Sequence, residues 1–89
     1  MKNVTMFMMD SCPYCKKALR WMDALFEEDA KYKAVPLEII DETKNPDIAD
    51  KYDYHYVPTF YVNGEKLHEG AASADIIKRV FNEARKQEQ

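Results

Sequence analysis

Val4-Thr5-Met6-Phe7-Met8-Met9 runs through Asp10-Ser11 directly into Cys12-Pro13-Tyr14-Cys15. In the first part both alternating sets, Val4/Met6/Met8 and Thr5/Phe7/Met9, are largely apolar, as in a central strand covered on both faces, so a strand is expected over residues 3–9. From Pro13 to about residue 30 the side chains Cys15, Ala18, Leu19, Met22, Leu25 and Phe26 recur at helical spacing, with Lys16, Lys17, Arg20, Asp23 and Glu27 elsewhere. That spacing predicts a long amphipathic helix. Pro13 suits its first turn, having no N–H to leave unsatisfied and a φ that is already helical, and Ser11 is the expected cap. Trp21, beside the apolar stripe, is expected to cover an edge of the core.

The chain holds 2 cysteines, both in this motif. A bridge between them closes so short a loop that it constrains the unfolded chain little, so the pair is a poor staple and its purpose is chemical. Positions three apart share one face of a helix, which lets the two sulfurs approach. The unpaired N–H groups and positive dipole end of a first helical turn stabilise an anion, and a thiolate is an anion. Cys12 is therefore the expected nucleophile. Cys15, one turn further in, is the expected resolving thiol that releases a mixed disulfide formed on Cys12.

Downstream, Val35-Pro36-Leu37-Glu38-Ile39-Ile40 reads as a second strand, with Pro36 arguing for a sheet edge. Strand, helix, strand implies a right-handed parallel crossover. Asn45-Pro46 offers a cap and a first-turn proline for a short helix over residues 46–53, with Ile48, Ala49 and Tyr52 inward. Residues 59–62 form the expected third strand, Asn63-Gly64 is a type I′ hairpin signal, and residues 65–68 return as a fourth, antiparallel strand. Ser73 then caps a closing helix with Asp75 in its first turn and Ile76, Ile77, Val80, Phe81 and Ala84 as its apolar stripe, while residues 85–89 are expected to fray. Residues 1–89 are thus expected to form one α/β domain, a four-stranded mixed sheet flanked by three helices in the order β-α-β-α-β-β-α.

Cys12-Pro13-Tyr14-Cys15, together with Val57-Pro58 and the following Thr59-Phe60-Tyr61-Val62-Asn63-Gly64, resembles the dithiol glutaredoxins of the thioredoxin-fold superfamily over nearly the whole chain. The resemblance implies a thioredoxin-like fold. It also implies exchange with disulfide-bonded proteins or glutathione mixed disulfides, glutathione being the reducing co-substrate, with no metal or organic cofactor. Pro58 would be cis beside the dithiol, and Val57 would offer its main-chain N–H and C=O to a peptide-like thiol substrate by strand addition. Pro13, Tyr14 and Tyr56 would flank that substrate, Tyr56 standing where glutaredoxins usually have Thr. Gly70, Ser73 and Asp75 would belong to the helix N-terminus that meets a substrate carboxylate.

Two positions depart from the glutaredoxin pattern. Met9 stands where a carboxylate-binding Lys is usual, and Glu69-Gly70-Ala71-Ala72-Ser73-Ala74-Asp75 is closer to the Gly-Ala pattern of thioredoxins. The alternative they favour is a thioredoxin-like reductant recharged by a flavoprotein disulfide reductase. Metal binding is the non-enzymatic alternative. A zinc site would have to draw on Cys12, Cys15, His55 and His68, which lack zinc-finger spacing, and Pro13 weighs against an iron–sulfur cluster bridged between two subunits. Both histidines are expected at the surface.

With 89 residues and 46% apolar side chains, one modest core is affordable and a second domain is not. A net charge of −3 gives no basic footprint for nucleic acid. No run approaches the roughly 18 apolar residues of a membrane helix, and the N-terminal run is too short and interrupted for a signal segment. A cytoplasmic monomer is expected.

Overall fold

The computed structural model describes residues 1–86. Strand β1 (Val4–Met8) is buried along its whole length because it lies inside the sheet, whose order is β2-β1-β3-β4. Strand β2 (Leu37–Asp41) runs parallel to it at one edge, where Pro36 ends the approach. Strand β3 (Thr59–Val62) is antiparallel to β1 and β4 (Glu65–Glu69) is antiparallel to β3, joined through Asn63 (φ 49°) and Gly64 (φ 82°). Two successive left-handed residues are what a type I′ turn requires.

The two faces of the sheet are covered differently. Helices α1 (Pro13–Glu28) and α3 (Ala74–Arg85) lie on one face, against Val4, Met6, Met8, Phe60 and Val62. Cys15, Ala18, Met22 and Leu25 of α1 and Ile77, Val80, Phe81 and Ala84 of α3 complete this core, and Phe26 meets Phe81 edge-on at 5.2 Å. Trp21 and Leu19 pack partly buried at its margin. On the other face Phe7, Ile40 and Tyr61 are buried beneath Tyr52 and Tyr54, with the Phe7 ring 4.7 and 4.9 Å from theirs. The expected thioredoxin-like architecture is the one observed.

Several local expectations are corrected. The cap of α1 is Cys12, not Ser11: its Sγ accepts the Cys15 N–H at 3.4 Å. Helix α1 stops at Glu28 because the Asp29 carboxylate turns to accept the Lys31 N–H, opening a 3-10 turn over Ala30–Ala34 that seats the buried Tyr32 against Asn82. Helix α2 spans only Pro46–Ala49, and Asn45 makes no cap bond; its amide donates to the Asp41 carbonyl instead. Ile48 is consequently exposed, while Ala49 and Tyr52 do face inward. Strand β2 begins at Leu37 rather than Val35, and β4 extends to Glu69. Of the tail, Arg85 is still helical, and residues 87–89 lie outside the described residues.

Candidate active site

The antiparallel pairing of Phe7 with Thr59 puts the end of β1 beside the start of β3. The segment leaving β1 carries Cys12 and the segment entering β3 carries Val57-Pro58, so the sheet alone brings the two together. Cys12 Sγ lies 3.9 Å from the Val57 carbonyl oxygen, and the Val57–Pro58 peptide bond is cis. Cys12 is 9% exposed and Cys15 fully buried. Burial pushes the Cys15 thiol up from its ordinary 9.0 to about 12; a backbone hydrogen bond at Met9 opposes this, and Cys12 and Glu42 add to it. The outer sulfur therefore sits at a helix N-terminus with a path to solvent, and the inner one keeps its proton until something draws it out.

Pro13 is the first residue of α1. Tyr14 and Tyr56, 55% and 71% exposed, are the large side chains left open near the motif and next to Val57. The Lys17 ammonium sits 5.7 Å from the Tyr14 ring centre, a cation–π contact. Gly70 donates its N–H to the Pro58 carbonyl at 2.8 Å and has φ 95°; a Cβ there would approach Tyr56 Cβ to 4.0 Å. Gly70 thus belongs to the Val57-Pro58 wall.

Ser73 and Asp75 are placed differently. The Ser73 hydroxyl oxygen accepts the Ile76 N–H at 3.1 Å and caps α3. Asp75 borders a hollow between α1 and α3 together with Trp21, Ala24, Leu25, Glu28 and Lys78, more than two helical turns along α1 from Cys12. The structure does not join these two side chains to the dithiol. His55 is exposed, and His68 Nε2 lies 2.8 Å from the Ala71 carbonyl; among the described residues no three His, Cys, Asp or Glu side chains gather to hold a metal ion. A hollow of about 390 Å³ bordered by Glu42, Asp50, Tyr52, Tyr54 and His55 lies on the aromatic face and contains neither cysteine.

Residues 53–58 form no helix or strand, and the side chains holding them went unread in the sequence. Tyr61 Oη and Lys66 Nζ donate to the Asp53 carbonyl at 2.8 and 3.1 Å, and the Thr59 hydroxyl donates to the Tyr56 carbonyl. Glu69 Oε2 accepts both the His55 and Tyr56 N–H groups, at 2.7 and 3.1 Å. An acidic residue on a strand that ends beside a loop gives no local signal of this kind, because its partners lie 13 and 14 residues away.

A family model described as a thioredoxin domain matches residues 2–82. The chain belongs to the thioredoxin-domain family. Among solved structures it is similar to one titled as a malarial protein (TM-score 0.73, 21% identity, covering 97% of this chain and 99% of that one). It is also similar to a mutant thioredoxin of Halobacterium salinarum (0.70, 22%, 99% and 78%) and to oxidised thioredoxin of Plasmodium falciparum (0.71, 18%, 92% and 79%). At these identities the structures speak for the fold. No curated protein matches. A thioredoxin domain with a Cys-x-x-Cys pair opening its first helix is a thiol–disulfide oxidoreductase in the general sense.

Proposed function

We propose that the protein reduces disulfides of peptide-like substrates by dithiol exchange, with Cys12 as nucleophile and Cys15 as resolving thiol. The observation that carries this is the inequality of the two sulfurs: one caps α1 with 9% of its residue open to solvent, 3.9 Å from the Val57 carbonyl, and the other is fully sealed one turn further in. The Cys12 thiolate attacks one substrate sulfur, forming a mixed disulfide and releasing the other sulfur as a thiolate that takes up a proton. Cys15 then gives up its proton and attacks Cys12 Sγ. The second substrate thiol leaves, and the Cys12–Cys15 disulfide holds the two-electron oxidation. Val57 aligns the substrate through its main chain, and Pro13, Tyr14, Tyr56 and Gly70 border it.

Glutathione returns the two electrons in the first reading, two molecules becoming one disulfide, in a cytoplasmic monomer with no bound cofactor. In the second reading a flavoprotein disulfide reductase returns them. The thioredoxin-domain match and the Gly70-Ala71 exit from β4 favour this second route.

The test runs two assays in parallel on the purified protein: a glutathione mixed disulfide with glutathione, glutathione reductase and NADPH, and a protein disulfide with thioredoxin reductase and NADPH. Turnover confined to the first identifies glutathione as co-substrate, and turnover confined to the second identifies the flavoprotein. Cys12→Ser abolishes whichever activity is present, and appreciable turnover by that variant rejects the assignment of roles.

A further inference from the structure

Strand β4 carries an irregularity opposite β3: Thr59 pairs with Glu69 and Phe60 with His68, but Tyr61 pairs with Lys66. Leu67 is the extra residue. In an unbroken ladder Lys66 and Glu69, three apart, would point to opposite faces of the sheet. The inserted residue turns Glu69 onto the face shared by Thr59, Tyr61 and Lys66, which residues 53–58 cross. There Glu69 Oε1 receives the Lys66 ammonium at 2.7 Å, and Oε2 receives two successive backbone amides, those of His55 and Tyr56. These three hydrogen bonds hold the carboxyl from its ordinary 4.5 down to about 2, so it stays ionised under working conditions.

The two amides belong to the residues directly before Val57. Downstream, the residue that follows β4 closes the same segment, Gly70 N–H bonding to the Pro58 carbonyl at 2.8 Å. Strand β4 and the residue just past its end therefore grip the substrate-aligning segment on both sides of Val57, by the Glu69 side chain before it and by the Gly70 main chain after it. We infer that Glu69 is a positioning residue, a bulge-directed carboxylate clamp that holds the Val57 main chain in the orientation that receives an extended substrate backbone. This rests on the reading of Val57 given above. A carboxylate is suited to the task because it accepts two amides and the ammonium at once and offers no donor to misplace them. The clamp should show first in binding, since Cys12 is placed by α1 and meets the clamped segment through the long 3.9 Å contact of its Sγ with the Val57 carbonyl.

The experiment measures reduction of a disulfide-linked peptide that fluoresces when cleaved, with dithiothreitol as reductant. It also follows alkylation of Cys12 by iodoacetamide, a reagent too small to need Val57, and amide hydrogen exchange at His55 and Tyr56. Glu69→Ala should raise KM about tenfold, the scale of one lost charge-assisted hydrogen bond, with kcat and the alkylation rate within about twofold of wild type and faster exchange at both amides. Glu69→Gln, which keeps an accepting oxygen, should recover most of the KM. Lys66→Met, which removes the ammonium and leaves the clamp, should shift KM less than about threefold. These two variants carry the test if Glu69→Ala does not fold. An active wild type whose KM ignores both Glu69 variants overturns this proposal alone, as does a Glu69→Ala that slows alkylation as much as it raises KM. A wild type inert on the peptide overturns the dithiol reading, and the clamp's role with it.

Discussion

The two walls of the site are built on different principles. The cysteine wall is the first turn of a 16-residue helix, backed by a continuous apolar core shared with α3 and with buried side chains of β1 and β3. The Val57 wall has no helix or strand of its own over residues 53–58 and is tied down by Thr59, Tyr61, Lys66 and Glu69, each bonding to main chain. Val57 packs partly buried against both apolar clusters, where the walls meet. Apolar packing places the reactive sulfur wherever the helix as a whole goes, whereas polar ties set the substrate wall one carbonyl or amide at a time. The first is hard to change locally. The second can be altered a bond at a time.

That contrast breaks most severely at Phe81. Fully buried on the inner side of α3, against Phe26 of α1 and the core, it supports the cysteine wall, so Phe81→Ala should cost about 3–5 kcal/mol of global stability in denaturant unfolding. All of the molecule should loosen together, and a loss below about 1 kcal/mol would mean that the core does not carry the helix. A smaller effect, on the order of a few kcal/mol, follows from Cys15. Its thiol ionises near 9.0 ordinarily and near about 12 when folded, so the native state holds the proton more tightly than the unfolded chain. The resulting stabilisation is complete below pH 9 and is lost as pH rises from 9 toward 12. Unfolding of the reduced protein across that range should show a fall that Cys15→Ala reduces; equal slopes in the two proteins would contradict it. The mildest break is on the other wall. Thr59→Val keeps the volume and removes the hydroxyl that reaches the Tyr56 carbonyl, at a cost of about 1 kcal/mol. Faster amide exchange should be confined to the segment around Tyr56, and a uniform change across α1 would show that the walls are not separately held.

The same division explains what could be read from the sequence. Helices α1 and α3, the parallel crossover and the Asn63-Gly64 hairpin announce themselves through spacing of near neighbours, and the motif residues Cys12, Val57 and Pro58 come together because β1 and β3 pair where that pattern says they do. What escaped depends on partners far along the chain or on competition between neighbours. Ser11 looks like a cap, yet the sulfur of Cys12 takes the position. Asn45 looks like one too, but it is drawn to the Asp41 carbonyl, and Asp41 itself closes a turn on Thr43. Tyr32 gives no periodic signal because its short turn exists to reach Asn82, 50 residues on. Glu69 was visible only as part of a segment that departs from glutaredoxins, and a single inserted residue, Leu67, decides which way it faces. Asp75 lies in the first turn of α3, where the sequence put it, and its side chain borders the hollow with Trp21.

The bond from the Cys15 amide to Cys12 Sγ has one more consequence. Because the sulfur that exchanges electrons is also the acceptor that caps the start of the helix, each change in its bonding is felt by one backbone proton. A thiolate, a mixed disulfide and an internal bridge offer that proton three different acceptors. The nitrogen–proton resonance of Cys15 is therefore a built-in indicator of the protein's redox state, and a titration with oxidant could be followed at that single peak without any attached label.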